Sequence, residues 1–187
     1  MNNKRLLVPV LAVVLAVIAA ASALASESDP PRRIVPEART VEPHAKPVRR
    51  VSPARVRRLR TTAWHWQAVI GLRRAHSAAP LHSRRALRYW RLQVRRVIRL
   101  AARPPHRLGW LCIHRFEGSW RDSGDPYWGG LQMDRSFMRS YAPRVLLRRG
   151  WANRWTALEQ MWVAERAHRS GRGYYPWPNT ARYCGLL

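Results

Sequence analysis

Three local signals predict a mostly helical α+β fold with one short β-hairpin. Leu87, Trp90, Val94, Val97, Ile98 and Ala101 recur at helical spacing behind a capping residue, Ser83. Thr156-Ala157-Leu158-Glu159 is a capping box that opens another periodic run. Between them, Tyr127-Trp128-Gly129-Gly130-Leu131-Gln132-Met133 sets two aromatics against a glycine pair, the pattern of a hairpin or tight turn leading into a helix.

In chain order, residues 1–25 predict an export signal. Lys4 and Arg5 precede an apolar run from Leu6 to Ala21, and Ala23-Leu24-Ala25 fits a cleavage site. The segment is either cleaved or kept as a membrane anchor. In both cases the rest of the chain is secreted or held in the cell envelope, where two cysteines can pair. Residues 26–60 carry Pro30, Pro31, Pro36, Pro43, Pro47 and Pro53 and lack apolar periodicity, which predicts a linker with a basic end. Residues 61–104 predict a basic amphipathic helical region, with one helix from Ser83 to about Ala102 and a shorter one from Trp64 to Arg74, ending near Gly71.

Charge narrows the partners. Lys and Arg number 35 against 10 Asp and Glu, a formal net charge of +25, and all but Lys4 and Lys46 are arginine. No carboxylate occurs from His44 to Phe116. Such a surface calls for an anionic cell-envelope polymer or an acidic membrane surface. The plainer alternative is that the apolar stripe packs on the C-terminal domain and the arginines are merely solvated. Export argues against nucleic acid as the natural partner. With 47% hydrophobic residues and ten tryptophans, a wholly disordered chain is excluded.

Residues 105–187 form a second block that holds most of the tryptophans and both cysteines. It is small for an autonomous core, so a disulfide between Cys112 and Cys184 is expected. Closing so long a loop stabilises by roughly 4 kcal/mol in the chain-entropy model. The alternative is two buried free thiols. A helix is expected from Trp110 to Glu117, stopped by Gly118 and Ser119, then a turn-rich loop through Asp122 and Asp125. The helix opened by Thr156 should end near Gly171.

The block's carboxylates are Glu117, Asp122, Asp125, Asp134, Glu159 and Glu165. Glu159 has the capping box. Glu165 has Arg169 one turn on, which predicts an ion pair. Asp134 can cap the helix after the glycine pair, and Asp122 and Asp125 fit turns. Glu117 fits no such role. It ends a helix, where the dipole disfavours negative charge, and Phe116 and Trp120 flank it; both effects favour the protonated form that a general acid needs. Other chemistries lack their residues. No His-Glu-x-x-His, paired Cys-x-x-Cys, Gly-x-Ser-x-Gly or phosphate-binding glycine loop occurs. Cys112 and His114 are two positions apart on a helix and point apart.

Trp110-x-Cys112, Glu117 with Trp120, Tyr127 through Asp134, Glu159-Gln160 with Val163-Ala164-Glu165-Arg166, Trp177-Pro178 and Cys184-Gly185 form an ordered set. Across residues 110–186 the set resembles the resuscitation-promoting-factor-like, transglycosylase-like branch of the lysozyme-like superfamily. Family members commonly place the catalytic Glu immediately after the first Cys and follow it with a Ser-Gly-Gly-like run before a Trp. Here Glu117 lies five positions after Cys112, with a shorter run to Trp120. The extra residues amount to about one helical turn, which leaves Cys112 on nearly the same face. The resemblance implies a small lysozyme-like domain that cleaves peptidoglycan glycan strands at the β-1,4 bond between N-acetylmuramic acid and N-acetylglucosamine. It implies Glu117 as the general acid and Gln132 in the sugar cleft, with Tyr127, Trp128, Asp134 and Trp120 as further substrate contacts. It calls for no metal and no cofactor. Hydrolysis and anhydro-forming transglycosylation both remain open. The alternative is a cationic envelope protein that binds peptidoglycan without cutting it.

Overall fold

The computed structural model describes residues 50–187. The expected export segment, and the expected linker up to residue 49, lie outside the described residues.

Helix α1 spans Pro53–Ile70 and corrects the expected linker end. Pro53, counted as a breaker, sits in the first helical turn, where a missing N–H costs nothing and the fixed φ suits the helix. Val56 is already buried. The short helix expected from Trp64 is therefore the second half of a longer one, and it ends at Gly71 as expected. Helix α2 spans Arg84–Ala101, and Ser83 caps it by accepting the Ala86 N–H at 3.0 Å. Val56, Ala63, Ala86 and Trp90 make a small core between α1 and α2. Trp64 stands edge-on to Trp90 with ring centroids 5.9 Å apart, and its indole N–H bonds the Ala75 carbonyl at 2.8 Å.

The expected boundary near residue 104 is not a boundary in the packing. Val69, Ile70, Val97 and Ala101 belong to the same core as Trp110, Ile113, Leu131, Met138, Trp155 and Val163. Trp162 donates its indole N–H to the Ala101 carbonyl at 2.8 Å, and Arg166 reaches the Ala68 carbonyl at 3.3 Å. The basic helices and the C-terminal block share one core, and the described residues form one compact unit. The apolar stripe of α2 is turned inward, Val97 and Ala101 into this shared core and Leu87, Trp90 and Val94 onto the small core with α1; only Ile98 of the six expected positions is exposed. Among the described residues no helix is long and apolar enough to cross a membrane.

The C-terminal elements follow the expected order. Helix α3 is Arg107–Glu117. Strands β1 (Tyr127–Trp128) and β2 (Met133–Asp134) pair antiparallel, with Tyr127 opposite Asp134 and Trp128 opposite Met133. Asp134 caps α4 (Arg135–Tyr141) by accepting the Phe137 N–H at 2.7 Å. A short α5 (Arg144–Leu147) precedes α6 (Ala157–Ala167), which opens on the expected capping box. The chain continues in a wider turn over His168–Arg172, and α7 spans Pro178–Tyr183. The described residues are thus mostly helical with one two-stranded sheet.

Two fully buried polar side chains on α6 hold these parts together. Gln160 accepts the Gly130 N–H at 2.9 Å and donates to the carbonyls of Trp120 and Ala152, each at 2.9 Å. Glu165 corrects an expectation. It makes no ion pair with Arg169, whose guanidinium reaches only the Glu165 backbone carbonyl. Its carboxylate is 0% exposed and accepts from the His106 N–H at 2.7 Å and the Trp110 indole N–H at 2.8 Å, with the His106 ring 3.1 Å away. A buried carboxylate with several donors is worth more to a fold than a surface pair.

Candidate active site

Glu117 is the last residue of α3, and Gly118 ends the helix with φ of 137°, a conformation that L side chains rarely adopt. One turn of helix away, Cys112 is bonded to Cys184, the residue that closes α7. The expected disulfide is therefore present, and it fastens α7 beside α3. The consequence is local. Thr180 of α7 donates its hydroxyl to Glu117 Oε1 at 2.8 Å. Trp177, just before α7, is buried and donates its indole N–H to the Leu131 carbonyl in the hairpin turn at 2.6 Å. Helix α3, the hairpin and the segment entering α7 thereby enclose a cleft of about 300 Å³, lined by Glu117, Tyr127, Gln132 and the run from Pro176 to Thr180.

The hairpin turn presents Gln132 in an unusual backbone state, with φ of 46° in a residue that is not glycine. Its amide nitrogen donates to Asp122 Oδ2 at 2.6 Å and to the Gly129 carbonyl at 3.0 Å. The glycine pair is needed for space. A Cβ at Gly130 would lie 2.7 Å from the Trp120 ring and still closer to His114. His114 and Trp120 stack at 3.9 Å behind the turn, and the His114 ring contacts the Gly130 carbonyl at 3.1 Å.

Of the residues expected at a sugar cleft, the structure brings Glu117, Gln132 and Tyr127 together. The others lie elsewhere. Trp128 is 5% exposed and points inward from the hairpin, since neighbouring strand residues face opposite sides. Trp120 packs on His114, and Asp134 is occupied as the α4 cap and by the Ser136 hydroxyl at 2.6 Å. None of these three lines the cleft. Phe116 also departs from expectation. Its ring lies outward against Tyr183, so the wall beside Glu117 is the Pro176–Thr180 run instead. Thr180 and Asn179 were not marked by any motif; the neighbouring Trp177-Pro178 was the only signal near them. Asp122 read as a turn residue, and it is one, with its Oδ1 on the Gly124 N–H at 3.0 Å, but its other oxygen serves Gln132.

Electrostatics sort the remaining acids. Hydrogen bonds from Gly124 and then Gln132 hold the Asp122 carboxyl below its usual range. The Ser136 hydroxyl and the Phe137 N–H do the same for Asp134. Glu117 is the one carboxylate among the residues lining the cleft, half-buried, with Oε2 without a protein partner among the described residues. Tyr127, 49% exposed, and Tyr175, 72% exposed, offer ring surface to solvent on and next to the cleft-lining residues. The arrangement sets one carboxylate and one amide side chain beside exposed aromatic surface, groups of the kind that meet a polar ligand. No family model matches the chain, and no curated protein or solved structure matches it.

Proposed function

We propose that the protein is an exported enzyme of the lysozyme-like, transglycosylase-like kind, cleaving peptidoglycan glycan strands at the β-1,4 bond between N-acetylmuramic acid and N-acetylglucosamine. The observation that carries the reading is the setting of Glu117: a single carboxylate in a cleft that Gln132 and Tyr127 also line, with one oxygen held by Thr180. Sugar faces stack on aromatic rings, and their hydroxyl and acetamido groups need fixed polar partners. In this reading protonated Glu117 gives its proton to the leaving glycosidic oxygen as the C1–O bond breaks and oxocarbenium character grows at C1. With one carboxylate at the cleft, the nucleophile that closes the reaction is the muramic 6-hydroxyl or a water. The arginine face of α2, turned away from the core, would hold the enzyme on anionic envelope polymers.

The test is mass analysis of fragments released from purified sacculi. Wild-type protein should release glycan fragments, with anhydro ends one water lighter than reducing ends. Glu117→Gln keeps the shape and removes the transferable proton. Release should fall by roughly 100- to 10,000-fold while the protein stays folded. Equal release by folded Glu117→Gln would remove Glu117 as the acid. Wild-type protein that is retained by sacculi yet releases nothing would make it a non-catalytic peptidoglycan-binding protein.

A further inference from the structure

The Asp122–Gln132 pair has no part in proton donation by Glu117, yet it is built with care. A non-glycine residue at positive φ persists only where its surroundings impose it, and such residues gather at ligand sites. Gln132 is one, at φ of 46°. Its Nε2 meets Asp122 Oδ2 at 2.6 Å and the Gly129 carbonyl at 3.0 Å. Both partners are acceptors with no proton to give. Chemistry therefore fixes which way the amide faces: turned over, Oε1 would confront a carboxylate and a carbonyl. Both amide protons are occupied, so Oε1 is what Gln132 has left for the cleft it lines. Asp122 is itself held from both sides, by the Gly124 N–H on Oδ1 and by the Gly129 N–H on its own carbonyl at 2.8 Å. The pair lies against the residue after Glu117. A Cβ at Gly118 would be 3.7 Å from Asp122 Oδ2 and 3.7 Å from Gln132 Nε2.

We infer that Asp122 is a positioning residue that locks the Gln132 amide with its carbonyl oxygen toward the cleft, so that Gln132 serves as a hydrogen-bond acceptor for an N–H or O–H donor of the ligand beside Glu117. The ligand part of this rests on the glycan reading above. On a glycan strand the matching groups are a hydroxyl or the acetamido N–H. Ring oxygens, glycosidic oxygens and acetamido carbonyls are the wrong polarity for that spot.

Two measurements test it separately. The first uses the free protein and needs no substrate. The Gln132 side-chain amide signals, followed by NMR, should show slowly exchanging protons that shift as Asp122 titrates, and Asp122→Ala should abolish both features. Asp122→Asn, which keeps the shape, should also abolish the titration. An amide signal identical in wild type and Asp122→Ala overturns the lock, whatever the protein cleaves. The second is a double-mutant cycle on the rate of glycan release. Asp122→Ala and Gln132→Ala should each lower kcat/KM by about 10-fold or more, and the double variant should be no worse than Gln132→Ala alone. Independent, multiplying losses would show that Asp122 does not act through Gln132. Wild-type protein that neither binds nor cleaves glycan overturns the proposed ligand, while the amide signal still decides the lock.

Discussion

Glu117 takes its hydrogen bond from a residue 63 positions further along the chain. Nothing in the periodicity around Thr180 announces that contact; it exists because a disulfide and Trp177 bring α7 back to α3 and the hairpin. Glu117 itself was legible in the sequence for a negative reason, since every other acid of its block had a structural role to fill. Asp122 shows the limit of that elimination: its turn role is real and conceals a second one. Thr180 supports a direct prediction. Thr180→Val keeps the shape and deletes the donor, so one oxygen of Glu117 loses its anchor. Glycan release should slow by about 10-fold, mainly in kcat, because positioning of a proton donor counts most in the transition state. Thr180→Ser keeps the hydroxyl and should stay near wild type. Release by Thr180→Val at the wild-type rate would show that the hydroxyl does not position the acid.

At the scale of elements, the capping box illustrates what local pattern can and cannot say. Thr156 and Glu159 bond each other's backbone N–H as their spacing predicts. The same carboxylate also takes the His65 ring of α1 at 2.7 Å and the Arg149 guanidinium beyond α5, and no local pattern encodes these. Glu159 is thus a joint between α1 and α6. Desolvation alone would raise its carboxyl; the hydrogen bonds from His65, Arg149 and the Thr156 N–H outweigh it and hold the group at about 2, against 4.5 unperturbed. A carboxyl lowered on folding stabilises above its unfolded value and stops doing so as pH falls through the folded one. The contribution should be full above about pH 4.5 and lost towards pH 2, a change of roughly 3 kcal/mol. Urea titrations across that range should find the wild type losing stability steeply and Glu159→Gln, less stable at neutral pH, losing much less. Parallel curves for the two proteins would refute the joint. The Cys112–Cys184 link makes a second prediction at this scale. Reduction should cost about 4 kcal/mol, a fall in Tm on the order of 10 °C. Glycan release should suffer even below that Tm, because the bond also sets Thr180 beside Glu117.

The whole molecule was legible in class but not in its joins. Mostly helical with one hairpin follows from caps, periodicity and the glycine pair. The separation of a basic region from a C-terminal domain does not hold, because composition reports what faces water. The arginines of α1 and α2 made those helices look unlike the tryptophan-rich block, while Val69, Ile70, Val97 and Ala101 underneath belong to its core. Removing residues up to 107 would strip that core and delete His65 from Glu159, so the shortened chain should fail to fold rather than act as a free catalytic domain. The charge must instead be tested in place. Arg84, Arg85, Arg88, Arg91, Arg95, Arg96 and Arg99 are exposed on α2. Among the described residues none of them pairs with a carboxylate. The apolar stripe behind them is turned inward, so on the proposed reading this face would attract an anionic envelope through its guanidiniums, by long-range Coulomb forces that salt screens over about 10 Å at 0.1 M. Changing Arg88, Arg91, Arg95 and Arg99 to Gln removes four charges from one face without touching a buried residue. Retention on isolated cell envelopes should drop clearly at low ionic strength, and the difference from wild type should vanish at high salt. Tm should hold or rise slightly as like-charge repulsion falls. Cleavage of short soluble glycan fragments should be unchanged, since these arginines are not among the residues lining the cleft. Retention equal to wild type at low salt, or a loss that persists at high salt, would show that something other than the arginine face holds the protein to its surface.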